Sequence, residues 1–242
     1  PSNLALLVCR QLAGDNWHHV SVTQSIFANE NEERGHVDDC RVSNKTKERG
    51  YFFPLYINVG FADSIFEKKE EIVPNFNKEI YRKIQKGLGC PVSPESLFDY
   101  IYAVLHSPSY RKRYEEFLKI DFPRIPYPTD LGEFRRLADI GAQLRRLHLM
   151  EGLPTRTGIT FPVAGTNQVD RCQWDGGRVY INDTQYFDGV TEQTFQHYIG
   201  GYQPAQKWLK DRRGRTLDFD DVRHYERIIY ALDSTCSLMS LI

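Results

Sequence analysis

The pattern of apolar and polar positions divides the chain into four stretches. Residues 4–9 are a continuous apolar run, as in a strand covered on both faces. Residues 19–27 alternate loosely around Val20, Val22 and Ile26. Residues 29–41 are polar and acidic and read as a surface loop. Residues 41–50 are polar and basic and lead into an aromatic strand at 51–58, where Pro54 demands an edge position or a bulge. Between residues 60 and 89 the pattern weakens. The Lys/Glu run at 67–71 reads as a solvated linker or short helix, and 77–86 as a helix ending at Gly87 or Gly89.

The middle third is helical. Ser93-Pro94-Glu95 supplies a cap, a first-turn proline and an early acid, and Leu97, Ile101, Val104 and Leu105 then recur at helical spacing. Ser107-Pro108 starts a second helix carrying Tyr110, Tyr114, Phe117 and Leu118. Residues 122–128, with three prolines, must be extended. A third helix over 133–150 stops at Gly152 and Pro154. Short strands follow at 159–163, 171–174 and 178–181, the last two joined by the hairpin signal Asp175-Gly176-Gly177. Thr191 caps a short helix, Pro204 opens another over 203–209, and Asp218 caps the last, whose apolar face is Val222, Tyr225, Ile229, Leu232, Cys236 and Met239.

Strands, helices, strands and helices without βαβ alternation predict an α+β fold: mixed β-sheet regions, a helical middle segment and a C-terminal helix. Residues 1–90 form the β-rich N-terminal part, 91–157 the helical segment, and 158–242 a hairpin with the C-terminal helices, together one composite domain.

Composition narrows the function. In 242 residues, 40% hydrophobic and 26% charged positions describe an ordinary folded protein. No run approaches the roughly 18 apolar residues that span a bilayer, and no secretory signal opens the chain, so a cytoplasmic location is expected, without a membrane partner. The chain begins Pro1-Ser2-Asn3-Leu4 without an initiator Met, which predicts a piece of a longer polypeptide. Five scattered cysteines (Cys9, Cys40, Cys90, Cys172 and Cys236) with no C-x-x-C pair predict reduced thiols, neither zinc ribbon nor disulfide framework. The triplets at Asn44 and Asn182 that match the glycosylation signal are then coincidence.

The sequence holds no Walker loop, H-E-x-x-H, G-x-S-x-G, Gly-rich methyl-donor loop or Asn-Pro-Pro-Tyr-like tetrapeptide. No metal site is expected. His18 and His19 are adjacent, so in a strand they face opposite ways, and the other helical histidines lack partners at metal spacing. Glu67 and Lys69, near Asp63, are the only fragment of a magnesium nuclease site. Their charged surroundings favour a solvated run.

Positive charge gathers in three places although the net charge is −1. Lys45, Lys47 and Arg49 flank Asn44. Arg111 and Arg113 open the second helix, with Arg124 beyond. Lys207, Lys210, Arg212, Arg213 and Arg215 lie within nine residues, opposed by Asp211 alone. Such side chains neutralise phosphates, and Asn44, Gln185 and Gln203 are candidates to read base edges. The competing reading is a solvated face balanced by nearby acids. Tyr186-Phe187 and Tyr198 with Tyr202 are expected in the core rather than stacked on bases.

A resemblance adds to this. The stretch from Phe98-Asp99-Tyr100-Ile101-Tyr102 through His106-Ser107-Pro108-Ser109-Tyr110-Arg111 to Asp121-Phe122-Pro123-Arg124-Ile125-Pro126 resembles the C-terminal specificity region of type ISP single-chain restriction–modification enzymes. So does Tyr198-Ile199-Gly200-Gly201-Tyr202-Gln203-Pro204-Ala205-Gln206-Lys207-Trp208-Leu209 with the basic residues after it. Asn3-Leu4-Ala5-Leu6, Cys9-Arg10-Gln11, Ser43-Asn44-Lys45 and Phe53-Pro54-Leu55-Tyr56 fit the same region, so the likeness runs from residue 3 to about 240.

In that family one polypeptide joins a nuclease, a helicase-like translocase, an adenine methyltransferase and a target recognition domain. The resemblance implies that this chain is the last of these, without catalytic residues or cofactor of its own. Its partners would be double-stranded DNA and upstream methyltransferase and helicase-like domains, for which S-adenosylmethionine, ATP and Mg2+ are implied. An intramolecular docking module and a divergent magnesium nuclease are the alternatives.

Overall fold

The computed structural model describes residues 3–10, 17–24, 50–64 and 67–242. Among them are eight helices and three antiparallel sheets, the α+β class that the patterning predicts. The chain forms two compact units, Pro1–Arg145 with the terminal Ile242, and Arg146–Leu241.

In the first unit the apolar run becomes β1 (Ala5–Cys9), the centre of a sheet ordered β2-β1-β3. β2 is Val20–Thr23 and β3 is Gly50–Pro54. The predicted strand at 51–58 is in fact two. Pro54 has no N–H to continue the ladder, so the chain leaves the sheet there. Leu55 bonds back to the Leu4 carbonyl, and β4 (Tyr56–Ser64) begins. Among the described residues β4 pairs only with β5 (Glu67–Pro74), from Tyr56↔Pro74 to Ser64↔Glu67 with a bulge near the far end. The expected linker or helix at 67–71 is therefore a strand. Lys and Glu have little strand preference, but pairing with β4 supplies their backbone bonds, and pairing outweighs propensity.

Helix caps follow the sequence closely. Asn77 caps α1 (Lys78–Leu88), Ser93 caps α2 (Pro94–His106) and Ser107 caps α3 (Pro108–Arg113). The predicted second helix breaks at Tyr114, whose ψ of 17° ends α3 before α4 (Glu115–Ile120). Phe117, expected on its apolar face, is exposed as a result. Tyr100 and Tyr110 donate to the carbonyls of Pro126 and Arg124 and so tie down the extended proline-rich segment. α5 (Leu131–His148) lies against α2, and there Arg145 makes a bidentate pair with the buried Asp99 at 2.6 and 3.0 Å.

The second unit closes around Val179, Ile181, Phe187, Leu209, Tyr225 and Ile229. Its sheet is β6 (Gln173–Asp175), β7 (Arg178–Tyr180) and β8 (Tyr186–Asp188), in that order. Gly176 and Gly177 form the predicted hairpin turn with φ of 54° and 86°, both positive as a two-residue turn of this hand requires. The predicted strand at 159–163 shrinks to a single bridge between Thr160 and Asp188. β8 is unforeseen by the patterning, which marks no strand at 186–188. α6 (Glu192–Gln196), α7 (Pro204–Lys210) and α8 (Phe219–Met239) complete the unit, and Asp218 and Asp221 build a reciprocal capping box on α8.

Candidate nucleic-acid interface

Asn44, Lys45, Lys47 and Arg49 lie outside the described residues. Glu67 and Lys69 are placed on β5, but their side chains lie outside the description too.

Arg111 is half-buried and its guanidinium is engaged within the fold. Its Nε donates to the Leu105 carbonyl at 2.7 Å, an Nη donates to His18 at 3.3 Å, and the guanidinium lies 5.7 Å from the Trp17 ring. Burial pushes its pKa down to about 10. His19 is buried nearby, with both ring nitrogens lacking a hydrogen-bond partner among the described residues. Burial first, then the Arg111 charge, holds its pKa below the ordinary 6.5. The unfolded chain takes up this proton near pH 6.5 while the folded chain resists it. Stability is therefore fully present above that pH and is lost as pH falls through the lowered folded value. The urea midpoint should drop between pH 7.5 and 5.5, and His19→Phe should shrink that drop. An equal drop in both proteins would show that His19 does not contribute.

Arg113 and Arg124 are exposed on the first unit, Arg113 with its guanidinium 5.6 Å from the Tyr114 ring. In the second unit the 207–215 cluster divides. Lys207 bonds Asp211 at 2.8 Å. Arg212 lies 3.6 Å above Trp208, pairs with Asp221 at 3.3 Å and donates to the Trp208 carbonyl, so it packs as well as carries charge. Lys210 donates to the neutral Gln206 and keeps its charge unopposed. Arg213 and Arg215 are exposed, with no side-chain partner among the described residues. The free cations are thus Lys210, Arg213 and Arg215.

A cavity of about 640 Å3 beside this turn is lined by Arg212, Arg223 and Arg227 but equally by Asp218, Asp220 and Asp221. Its charges cancel, so it is no phosphate trap.

The two glutamine candidates are occupied. Gln203 is half-buried and donates to both the carbonyl and the side chain of Gln196. Gln185 is fully buried. Its Oε1 accepts from the Asn167 N–H at 2.7 Å and from Asn182 Nδ2 at 3.0 Å. Its Nε2 donates to the Val163 carbonyl at 2.9 Å and to Asn167 Oδ1 at 2.8 Å. A polar residue between strand-forming neighbours looks exposed in the sequence, but a buried amide is stable when all its bonds are made. Phe187 is core, as expected, while the half-buried Tyr186 carries Arg178 at 4.6 Å.

Around Gln185 wraps a loop, residues 163–168, that sequence reasoning missed. Gly165 sits so close that a Cβ there would lie 2.6 Å from Gln185 Cδ. Asn167 takes φ of 56°, a left-handed conformation that Asn tolerates and few other residues do. The next residues join the basic turn: Gly214 N–H donates to the Val169 carbonyl at 2.7 Å and Val169 N–H to the Arg215 carbonyl at 2.9 Å, with Gln168 bridged to Thr216. Thr166, Gln168, Arg213, Arg215 and Thr216 are therefore exposed neighbours on one short two-stranded ledge. The only sequence signal for it was the Arg213-Gly214-Arg215 turn.

A family model described as the Type ISP C-terminal specificity domain matches residues 2–241. Several solved structures are similar. The cryoEM structure of a DrdV–DNA complex matches with TM-score 0.72 and 17% identity, over 100% of this chain and 25% of that one. The ATP-dependent Type ISP restriction-modification enzyme LlaBIII bound to DNA matches with TM-score 0.67 and 18% identity, over 99% of this chain and 16% of that one. A nuclease-deletion mutant of the Type ISP enzyme LlaGI in complex with a DNA substrate mimic matches with TM-score 0.63 and 19% identity, over 100% and 18%. At these identities the likeness carries the fold. This chain spans a quarter or less of the length of each. A search of curated proteins gave no match.

Proposed function

The chain belongs to the Type ISP C-terminal specificity domain family, and from that premise we propose that it selects the DNA sequence on which a longer restriction–modification enzyme acts. The family match across residues 2–241 carries the reading. The similar structures described as DNA complexes support it, as do the free cations at 210, 213 and 215. On this reading the chain does no chemistry. It holds a duplex so that an upstream methyltransferase can draw the target adenine from the stack. S-adenosylmethionine, ATP and magnesium then serve those other domains, in the cytoplasm.

Lys and Arg on phosphates fix register, while base edges carry the sequence information. Binding of the 242-residue chain to a duplex should therefore weaken steeply with salt. Replacing Lys210, Arg213 and Arg215 together by Ala should flatten the plot of log affinity against log salt by about 0.9 for each phosphate that is no longer neutralised. A slope that does not change would remove this surface from the interface. Affinity that never responded to salt would remove DNA as the ligand. No helix of the described residues is long and apolar enough to cross a membrane.

A further inference from the structure

The loop around Gln185 has a cost and a product. Its cost is a left-handed Asn167 and a fully buried amide that must keep every bond it makes. Its product is Gln168. The Gln168 side chain is exposed and has no hydrogen-bond partner among the described residues, yet its backbone is held on every side. Asn182 donates to its carbonyl at 3.0 Å, its own N–H donates to Thr166 Oγ1 at 3.3 Å, and Asn167 before it and Val169 after it are both bonded. Arg213 and Arg215, two of the three free cations of the cluster, stand across the same ledge.

Resting on the DNA-recognition reading above, we propose that Gln168 is a specificity-determining residue, making paired hydrogen bonds to an adenine edge in the major groove. Arg213 and Arg215 hold the flanking phosphates. Gln185 touches no DNA and is the positioning residue that aims Gln168. An amide with its NH2 group and its carbonyl oxygen both free can donate to adenine N7 and accept from N6. Contacts to bases discriminate best when their geometry is held in advance, and the bonds on both sides of residue 168 fix the backbone from which its side chain reaches. Free arginines beside the amide bring the backbone within reach without first breaking an existing ion pair.

The test is selection from a pool of random duplexes by the 242-residue chain, followed by sequencing. The wild type should enrich a motif containing adenine at a fixed position. Gln168→Ala should lose preference at that position, and at no more than one neighbour, by about five- to one-hundred-fold while total DNA binding persists. Gln168→Glu, which can only accept, should exchange the adenine for cytosine. Arg213→Ala with Arg215→Ala should weaken all sequences alike and leave the motif intact. A wild-type motif that survives Gln168→Ala unchanged overturns the assignment alone. A wild type that enriches nothing overturns the DNA reading and the assignment with it.

Discussion

Gly141→Val is expected to lower the stability of the chain by about 4 kcal/mol, near the upper end for single substitutions. A Cβ at this position would lie 1.8 Å from the carbonyl oxygen of Asp99 and 2.6 Å from its carbon. These are backbone atoms of α2, so no rotamer change relieves the overlap and α5 must move away as a body. Such a movement also stretches the Asp99–Arg145 pair, whose side chains are largely out of water and lose solvation that nothing then replaces. With a melting point falling about 2–4 °C per kcal/mol in a chain of this size, thermal unfolding should shift by roughly 10 °C. A shift below about 2 °C would show that the two helices can part at little cost. Gly141→Ala should lie between, since the first added carbon already makes the clash.

The second large effect is at Gln185. Leucine has nearly the same volume, so Gln185→Leu leaves no cavity but orphans the Asn167 N–H and the Val163 carbonyl and takes a partner each from Asn182 and Asn167. Orphaned buried groups cost about 1–3 kcal/mol each, and some recover water as the loop opens, so a net loss of about 3 kcal/mol is expected. Its signature is local. Hydrogen exchange at the Asn167 amide should speed up by about a hundredfold, beyond whatever global destabilisation brings. Base discrimination should fall along with it although residue 168 is untouched. If Asn167 stays as well protected in the variant as in the wild type, Gln185 is not what holds the loop.

The sequence was most legible where structure is local. Ser93, Ser107, Thr191 and Asp218 cap the helices they were expected to cap, because a cap needs only its own next three residues. The Gly176-Gly177 turn is equally local. Elements decided by a distant partner were not legible. The charged run at 67–71 becomes a strand only because β4 lies beside it. The split at Tyr114 has no marker in the sequence. The interface divides in the same way. A dense run of basic residues drew attention to 207–215, yet ion pairing and stacking leave three of the five free. Gln185 drew attention as a polar side chain and proves to be internal. Gln168 did not, because its importance comes from Asn182, Gln185 and the 213–216 turn, all far along the chain.

The ledge at 166–168 and 213–216 stands on bonds made by atoms beneath it and by the Thr166 hydroxyl, while the outward side chains of Gln168 and Thr216 contribute little to that foundation. This separates what the domain must keep from what it is free to change. A library randomised at those two sites, with Thr166, Asn167 and Gln185 untouched, becomes a route to enzymes retuned to new targets without weakening the fold at each new letter.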